Sequence, residues 1–106
     1  MQYKLLEEHP KTYALIFGTG AQLAEGLKQF AIEQKIRGAS FKAMGALSSV
    51  RLGWFNWQTK KYETAAHGGH LLEATVRPTC ELMLTESPEH LRKEIDAESG
   101  IALIRL

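Results

Sequence analysis

The succession of hydrophobic patterns along this chain predicts an α+β fold, a mainly antiparallel sheet flanked by two helices. Most strand-like runs follow one another with no helix between them, whereas parallel strands need long crossovers. A turn-rich segment, Asn56-Trp57-Gln58-Thr59-Lys60-Lys61, lies between two such runs as the tip of a hairpin. No repeat, linker or low-complexity tract divides the 106 residues, so residues 1–106 form one domain.

The first strand candidate spans residues 12–17, with apolar side chains at both parities (Ala14 and Ile16 against Tyr13, Leu15 and Phe17), as in a strand covered on both sides. Pro10 is compatible with its start. Gly18-Thr19-Gly20 breaks the strand and leads into a helix of about four turns that ends near Ile36. The helix has its apolar stripe at Leu23, Leu27, Phe30 and Ala31. Gly38 suits a left-handed exit. Residues 40–46 read as a second strand, with Gly45 as a bend or close-approach point. Residues 50–57 read as a third, with Val50, Leu52 and Trp54 on one face and Phe55 and Trp57 on the other. Tyr62 starts the returning strand. His67-Gly68-Gly69-His70 is a sharp loop, followed by a long apolar passage over 71–84. Pro78 divides that passage into two segments joined at a bulge or an edge. Ser87-Pro88-Glu89 reads as a helix start: hydroxyl cap, proline in the first position, acid in the first turn. A short helix follows, with Leu91 and Ile95 inward. Gly100 ends the turn after it, and residues 101–106 close the sheet.

The apolar content of 44% and charged content of 24% are those of a folded protein, not of a disordered one. A net charge of +1 argues against a protein whose main work is gripping a phosphate backbone, which takes an excess of cations. Cys80 is the only cysteine, so no disulfide closes within the chain, as fits a reducing cytoplasm. The N-terminus has no apolar signal core, and no run of about 18 apolar residues suggests a membrane span. The expected location is the cytoplasm.

Four groups of residues could carry chemistry. Gly18-Thr19-Gly20 ahead of a helix invites a phosphate-loop reading, but no Lys-Ser/Thr pair follows and position 23 is leucine, so a plain bend is favoured. Trp54, Phe55 and Trp57 stand near Arg51, Lys60 and Lys61. Such rings can stack bases, yet alternation sends them to opposite faces, so packing, with Phe55 and Trp57 at an interface, is the preferred reading. His67 and His70, with Glu73 three residues on, could meet at one divalent metal such as zinc, although two histidines and one acid make a thin ligand set. Cys80 alternates with Leu82 and Leu84 and reads as a small buried apolar group. His9 and His90 read as solvated. No nucleophile–base pair is visible.

The segment GGHLLEATVRPTCELMLTE resembles the late strands of the plant-and-prokaryote-conserved (PPC) domain family. FAIEQKIRGASFKAMGALSSVRLGWFN resembles that family's helix, its GIGAL passage and its V-x-L-G-x-F strand, and SPEHLRKEIDAESGIALIRL resembles bacterial members. The resemblance departs at one place. Residues 62–66 run almost directly into His67-Gly68-Gly69-His70, where the family has further strands and a His-x-His pair. It therefore implies a PPC-like but shortened antiparallel sheet with flanking helices, assembled as a homotrimer. Bacterial relatives are called DNA-binding by analogy with plant proteins that carry AT-hooks. Here Arg37-Gly38 is followed by Ala39-Ser40, so that motif is absent. Some relatives hold a metal, and of the histidines concerned only His70 carries over by position.

A shortened sheet leaves backbone groups unpaired at its edges, which invite another chain. The leading expectation is a non-enzymatic, self-associating binding or regulatory module of unknown function, trimeric. One rival is DNA association through Arg37, Arg51, Lys60, Lys61 and Arg77. The other is a metal-assisted enzyme acting on a small molecule at a cleft between subunits, with His67, His70 and Glu73 as ligands.

Overall fold

The structure is a computed structural model that describes residues 1–65, 68–87 and 92–105. Its strands are β1 (Gln2–Glu8), β2 (Lys11–Gly18), β3 (Ala39–Asn56), β4 (Lys61–Ala65), β5 (His70–Glu86), β6 (Arg92–Ile95) and β7 (Ala102–Arg105), with one helix, α1 (Leu23–Glu33). Five strands form an antiparallel sheet in the order β1-β2-β5-β3-β4, while β6 and β7 form a separate two-stranded sheet.

The core lies between α1 and the β2–β5 pair. Tyr13, Leu15 and Phe17 of β2 stand opposite Leu84, Leu82 and Cys80 of β5, and all six are buried. Leu23 and Phe30 of α1 cover them, joined by Ala74 and Val76. The apolar stripe of the helix thus does what its spacing predicts. Phe30 meets Tyr13 and Tyr3 edge-on, both with centroids 5.0 Å away, an arrangement the ring quadrupoles favour by about 0.5–1.5 kcal/mol per pair.

The Gly18-Thr19-Gly20 turn is structural. Gly20 N–H donates to the Val76 carbonyl at 2.9 Å, Val76 N–H donates to Ala21 O at 2.9 Å, and Thr19 Oγ1 donates to Pro78 O at 3.2 Å. The amide that an anion would need at Gly20 is therefore occupied by β5. Gln22 also spends its side chain there, donating to Thr75 Oγ1 at 2.9 Å, so it does not cap the helix it precedes.

β2 is covered on one face and not on both, since its Ile16 stays exposed on the face away from α1, and the strand expected at 101–106 does not close the main sheet but pairs with β6. Four further expectations need correction. First, residues 1–11 contain strand β1, whose Tyr3 and Leu5 take their register from Leu15 and Tyr13. Second, α1 stops at Glu33 because Lys35, not Gly38, adopts the left-handed conformation (φ 57°). There Ile36 N–H bonds Ala31 O and Lys35 N–H bonds Ile32 O, which is the Schellman closure. Third, the strands expected at 40–46 and 50–57 are one strand, β3, held continuous by β5. The breaks between them survive as register shifts after Gly45 and after Leu47. Gly45 is needed at the first shift, since a Cβ there would strike Thr79 O and stand 2.6 Å from Cys80 Cα. Pro78 lies in the stretch 77–79 that has no partner on β3, as a proline in a bulge should.

Fourth, only one helix flanks the sheet among the described residues. The expected second helix begins in residues 88–91, outside the described residues, but its Ile95 belongs to strand β6 and is exposed. The turn that follows explains the pairing. Asp96 Oδ2 accepts bonds from Ser99 N–H and Ser99 Oγ, each 2.8 Å, and Asp96 N–H donates to Ile101 O at 2.9 Å. This closes β6 onto β7, whose cross-strand backbone bonds take residues 92–95 into a strand. No described helix is long and apolar enough to cross a membrane.

Candidate functional site

The His-Gly-Gly-His loop sits where β5 begins, with His70 opposite Gly53 of β3. Gly69 has φ 141°, and a Cβ there would collide with the Gly53 carbonyl oxygen, so the loop can lie this close only as glycine. His67 lies outside the described residues. The His70 ring rests against Tyr62 with centroids 4.9 Å apart. Glu73 Oε1 accepts from Arg51 Nε at 3.1 Å across the β3–β5 pair. Among the described residues no three His, Cys, Asp or Glu side chains gather around a point that could hold a metal ion.

The aromatic residues divide as alternation along the strand predicts, and the Phe55 side gathers further rings. Phe55 meets Trp57 at 5.7 Å and Tyr62 at 5.5 Å, both edge-on, and Lys60 Nζ lies 4.2 Å above the Trp57 ring. Trp54 stands at the other parity, opposite Glu63. Tyr62 and His70 are the members that the sequence reading missed. They join because β4 and β5 flank β3 at this end, a pairing the hairpin turn signals for Tyr62 but nothing local signals for His70. Asn56 builds that turn, its Oδ1 accepting from Gln58 N–H at 2.9 Å.

The five basic candidates do not share one stripe. Arg37 precedes the first residue of β3, Lys60 and Lys61 follow its last, and Arg77 lies in the irregular part of β5. Arg51 already faces a carboxylate. Cys80 is buried opposite Phe17 and Gly45. Burial, helped by the Glu81 carboxylate beside it, pushes its thiol pKa up and keeps it protonated.

One edge of β3 is unsatisfied in both backbone and apolar groups. β4 pairs with β3 only over residues 52–56, and β5 occupies the other edge, so residues 39–51 present one edge with no strand beside it among the described residues. Phe41, Met44, Leu47 and Val50 are exposed along it, Met44 at 80%. On the sheet face away from α1, Ile16 and Met44 flank Glu81, and Ala14 and Lys42 flank Met83, leaving an open groove that holds exposed Ile16, Met44 and Met83. The long apolar passage over 71–84 is a strand at the centre of the sheet, whose Ala74, Val76, Cys80, Leu82 and Leu84 are core. The overlooked signal was in 39–51, a stretch whose only charged residues are Lys42 and Arg51.

Among the described residues, a single helix laid on one face of an antiparallel sheet, with the other face open, defines a small open-sheet module. The sequence pattern of the Plants and Prokaryotes Conserved (PCC) domain matches residues 6–66, and the chain belongs to that family. Solved structures share the fold. A Bacteroides thetaiotaomicron protein, carrying the provisional label of a DNA-binding protein, is 18% identical, with a TM-score of 0.84 over 98% of this chain and 96% of its own. A plant- and prokaryote-conserved protein of Pyrococcus horikoshii is 20% identical, with a TM-score of 0.77 over 99% and 95%. A metal-containing protein of Archaeoglobus fulgidus is 18% identical, with a TM-score of 0.75 over 99% and 97%. No curated protein matches the sequence significantly.

Proposed function

We propose that this chain is a self-associating PCC module, trimeric, whose assembled form serves as a binding or regulatory scaffold. The observation that carries this is the bare edge of β3 over 39–51, with Phe41, Met44, Leu47 and Val50 exposed along it. Soluble proteins protect such edges with charges, prolines or covering elements, because an open edge pairs with other chains. Phe55 and Trp57 add half-buried and exposed ring surface at the far end of the same strand. Native mass spectrometry over a dilution series tests the reading: trimers at micromolar concentration are expected, and a monomer at every concentration sinks it.

DNA association is the second reading, favoured by the label of the Bacteroides relative. The distribution of Arg37, Arg51, Lys60, Lys61 and Arg77 supports only weak, sequence-tolerant binding that falls steeply with salt. Absence of any duplex shift at low salt removes it. The metal-dependent alternative draws on the name of the Archaeoglobus relative. It would draw on His67, His70 and Glu73, and protein that takes up no zinc mass eliminates it.

A further inference from the structure

The same chain carries two complementary deficits. The first is the open edge of β3. Alternate residues of a strand direct both N–H and C=O to one side, so about six residues of 39–51 offer backbone groups to a missing neighbour. The other two edges are better protected for their length: β1 carries Lys4, Glu7 and Glu8, and β4 carries Lys61 and Glu63. The exposed apolar residues of 39–51 fall on both faces of β3. Phe41 shares a face with Leu84, and Met44 shares the opposite face with Glu81. A neighbour here would gain side-chain contacts above and below as well as backbone bonds.

The second deficit is the C-terminal hairpin. β6 and β7 pair with each other and make no extensive packing with any other described element of their own chain. An isolated two-stranded hairpin is marginal in water. Its register puts Ile95, Ala102 and Ile104 on one face together with Lys93, and Ile95 (71%) and Ile104 are exposed. The hairpin therefore has an uncovered apolar face and two free edges. Its own β3 does not receive it. The chain leaves β5 beside the start of β3, where Ser87 N–H donates to Gly38 O at 2.8 Å, and the hairpin then stands apart as a second sheet.

We propose that the open edge of β3 is the seat of the C-terminal hairpin of a second copy of this chain, which extends the five-stranded sheet by strand addition. The proposal rests on the self-association reading and names the two surfaces that meet. Edge and hairpin are different parts of the chain, so the contact is head-to-tail. Each copy gives a hairpin and receives one, and in a closed ring of copies every hairpin and every β3 edge has a partner. Backbone bonds along the edge supply the attachment, and Ile95 and Ile104 cover apolar side chains of β3.

Cysteine pairing between chains tests this. Phe41→Cys, Met44→Cys or Leu47→Cys is made in one chain, and Ile95→Cys or Ile104→Cys in another, with buried Cys80 left in place. Each edge variant is refolded together with each hairpin variant and oxidised. At least one mixture is expected to give a disulfide-linked dimer in several-fold greater yield than either variant alone. Cross-linking of an edge variant with itself would mean that β3 pairs with β3, and overturns the proposal. If native mass spectrometry shows oligomers and no mixture cross-links, the hairpin assignment fails while self-association stands; a monomer throughout removes both. Ile104→Pro provides an independent check. It should weaken assembly at least tenfold with the far-UV spectrum of the main sheet retained, and unchanged assembly argues against the hairpin.

Discussion

The β2–β5–α1 half of the molecule and the first two-thirds of β3 belong to one sheet but face different surroundings. In the former, alternating residues from two strands meet a helical stripe, and Leu15, Val76, Phe17 and Phe30 lose nearly all contact with solvent. In the latter, an equally apolar run has β5 on one side and open space on the other, and every residue from 39 to 51 is exposed. Hydrophobicity is therefore a poor guide to which half holds the monomer together. What differs is whether the chain itself supplies a second layer and a second neighbouring strand.

The sharpest way to break this contrast is at its packed side. Phe30→Ala removes a ring that is 1% exposed and meets Tyr3 and Tyr13, and should cost about 3–5 kcal/mol in chemical denaturation. A loss under about 1 kcal/mol would show that α1 contributes little to the core. At the seam between the halves, Gly45→Ala puts a methyl group against the backbone of Thr79 and Cys80. A loss of roughly 1–3 kcal/mol is expected, since backbone gives way less easily than side chains. An unchanged midpoint would mean that β3 and β5 separate there at little cost.

On the open side the order of effects reverses. Met44→Lys should change monomer stability by less than about 0.5 kcal/mol, as exposed substitutions do, while shifting the oligomer toward monomer in sedimentation. Equal assembly by this variant would detach self-association from the β3 edge. The smallest effect concerns pH. Because burial raises the Cys80 thiol pKa, folding stability is unaffected by this group below the ordinary thiol range. Above about pH 8.5 the unfolded chain releases this proton first, so stability falls as pH rises further. Denaturation at pH 7 and pH 9.5 should show a steeper loss for the native protein than for Cys80→Ala. Parallel losses would remove this contribution.

Much of the packed half was legible because its signals are local. The spacing of Leu23, Leu27 and Phe30, the parity of Tyr13, Leu15 and Phe17, and the Asn56 turn each act within a few residues. Less of the candidate site was. Exposure of Met44 and Val50 depends on which strands fail to arrive beside them, a long-range fact that their own neighbours do not encode. Nothing in the residues around Glu73 and His70 signals that β3 places Arg51 against the one and that the Tyr62 ring lies beside the other.

The sequence by itself determined the antiparallel class, the first helix, the strands at the core and the hairpin between β3 and β4. Periodicity and turn chemistry specify elements whose stabilising partners lie on the same or the next segment. Tertiary structure alone decided that residues 2–8 become a strand, that two runs fuse into β3, and that Ile95 sits in a strand and not a helix. In each case the backbone bonds that decide come from a different segment of the chain. Main-chain donors and acceptors are common to every residue, so their pairing leaves almost no mark on the residues that make it.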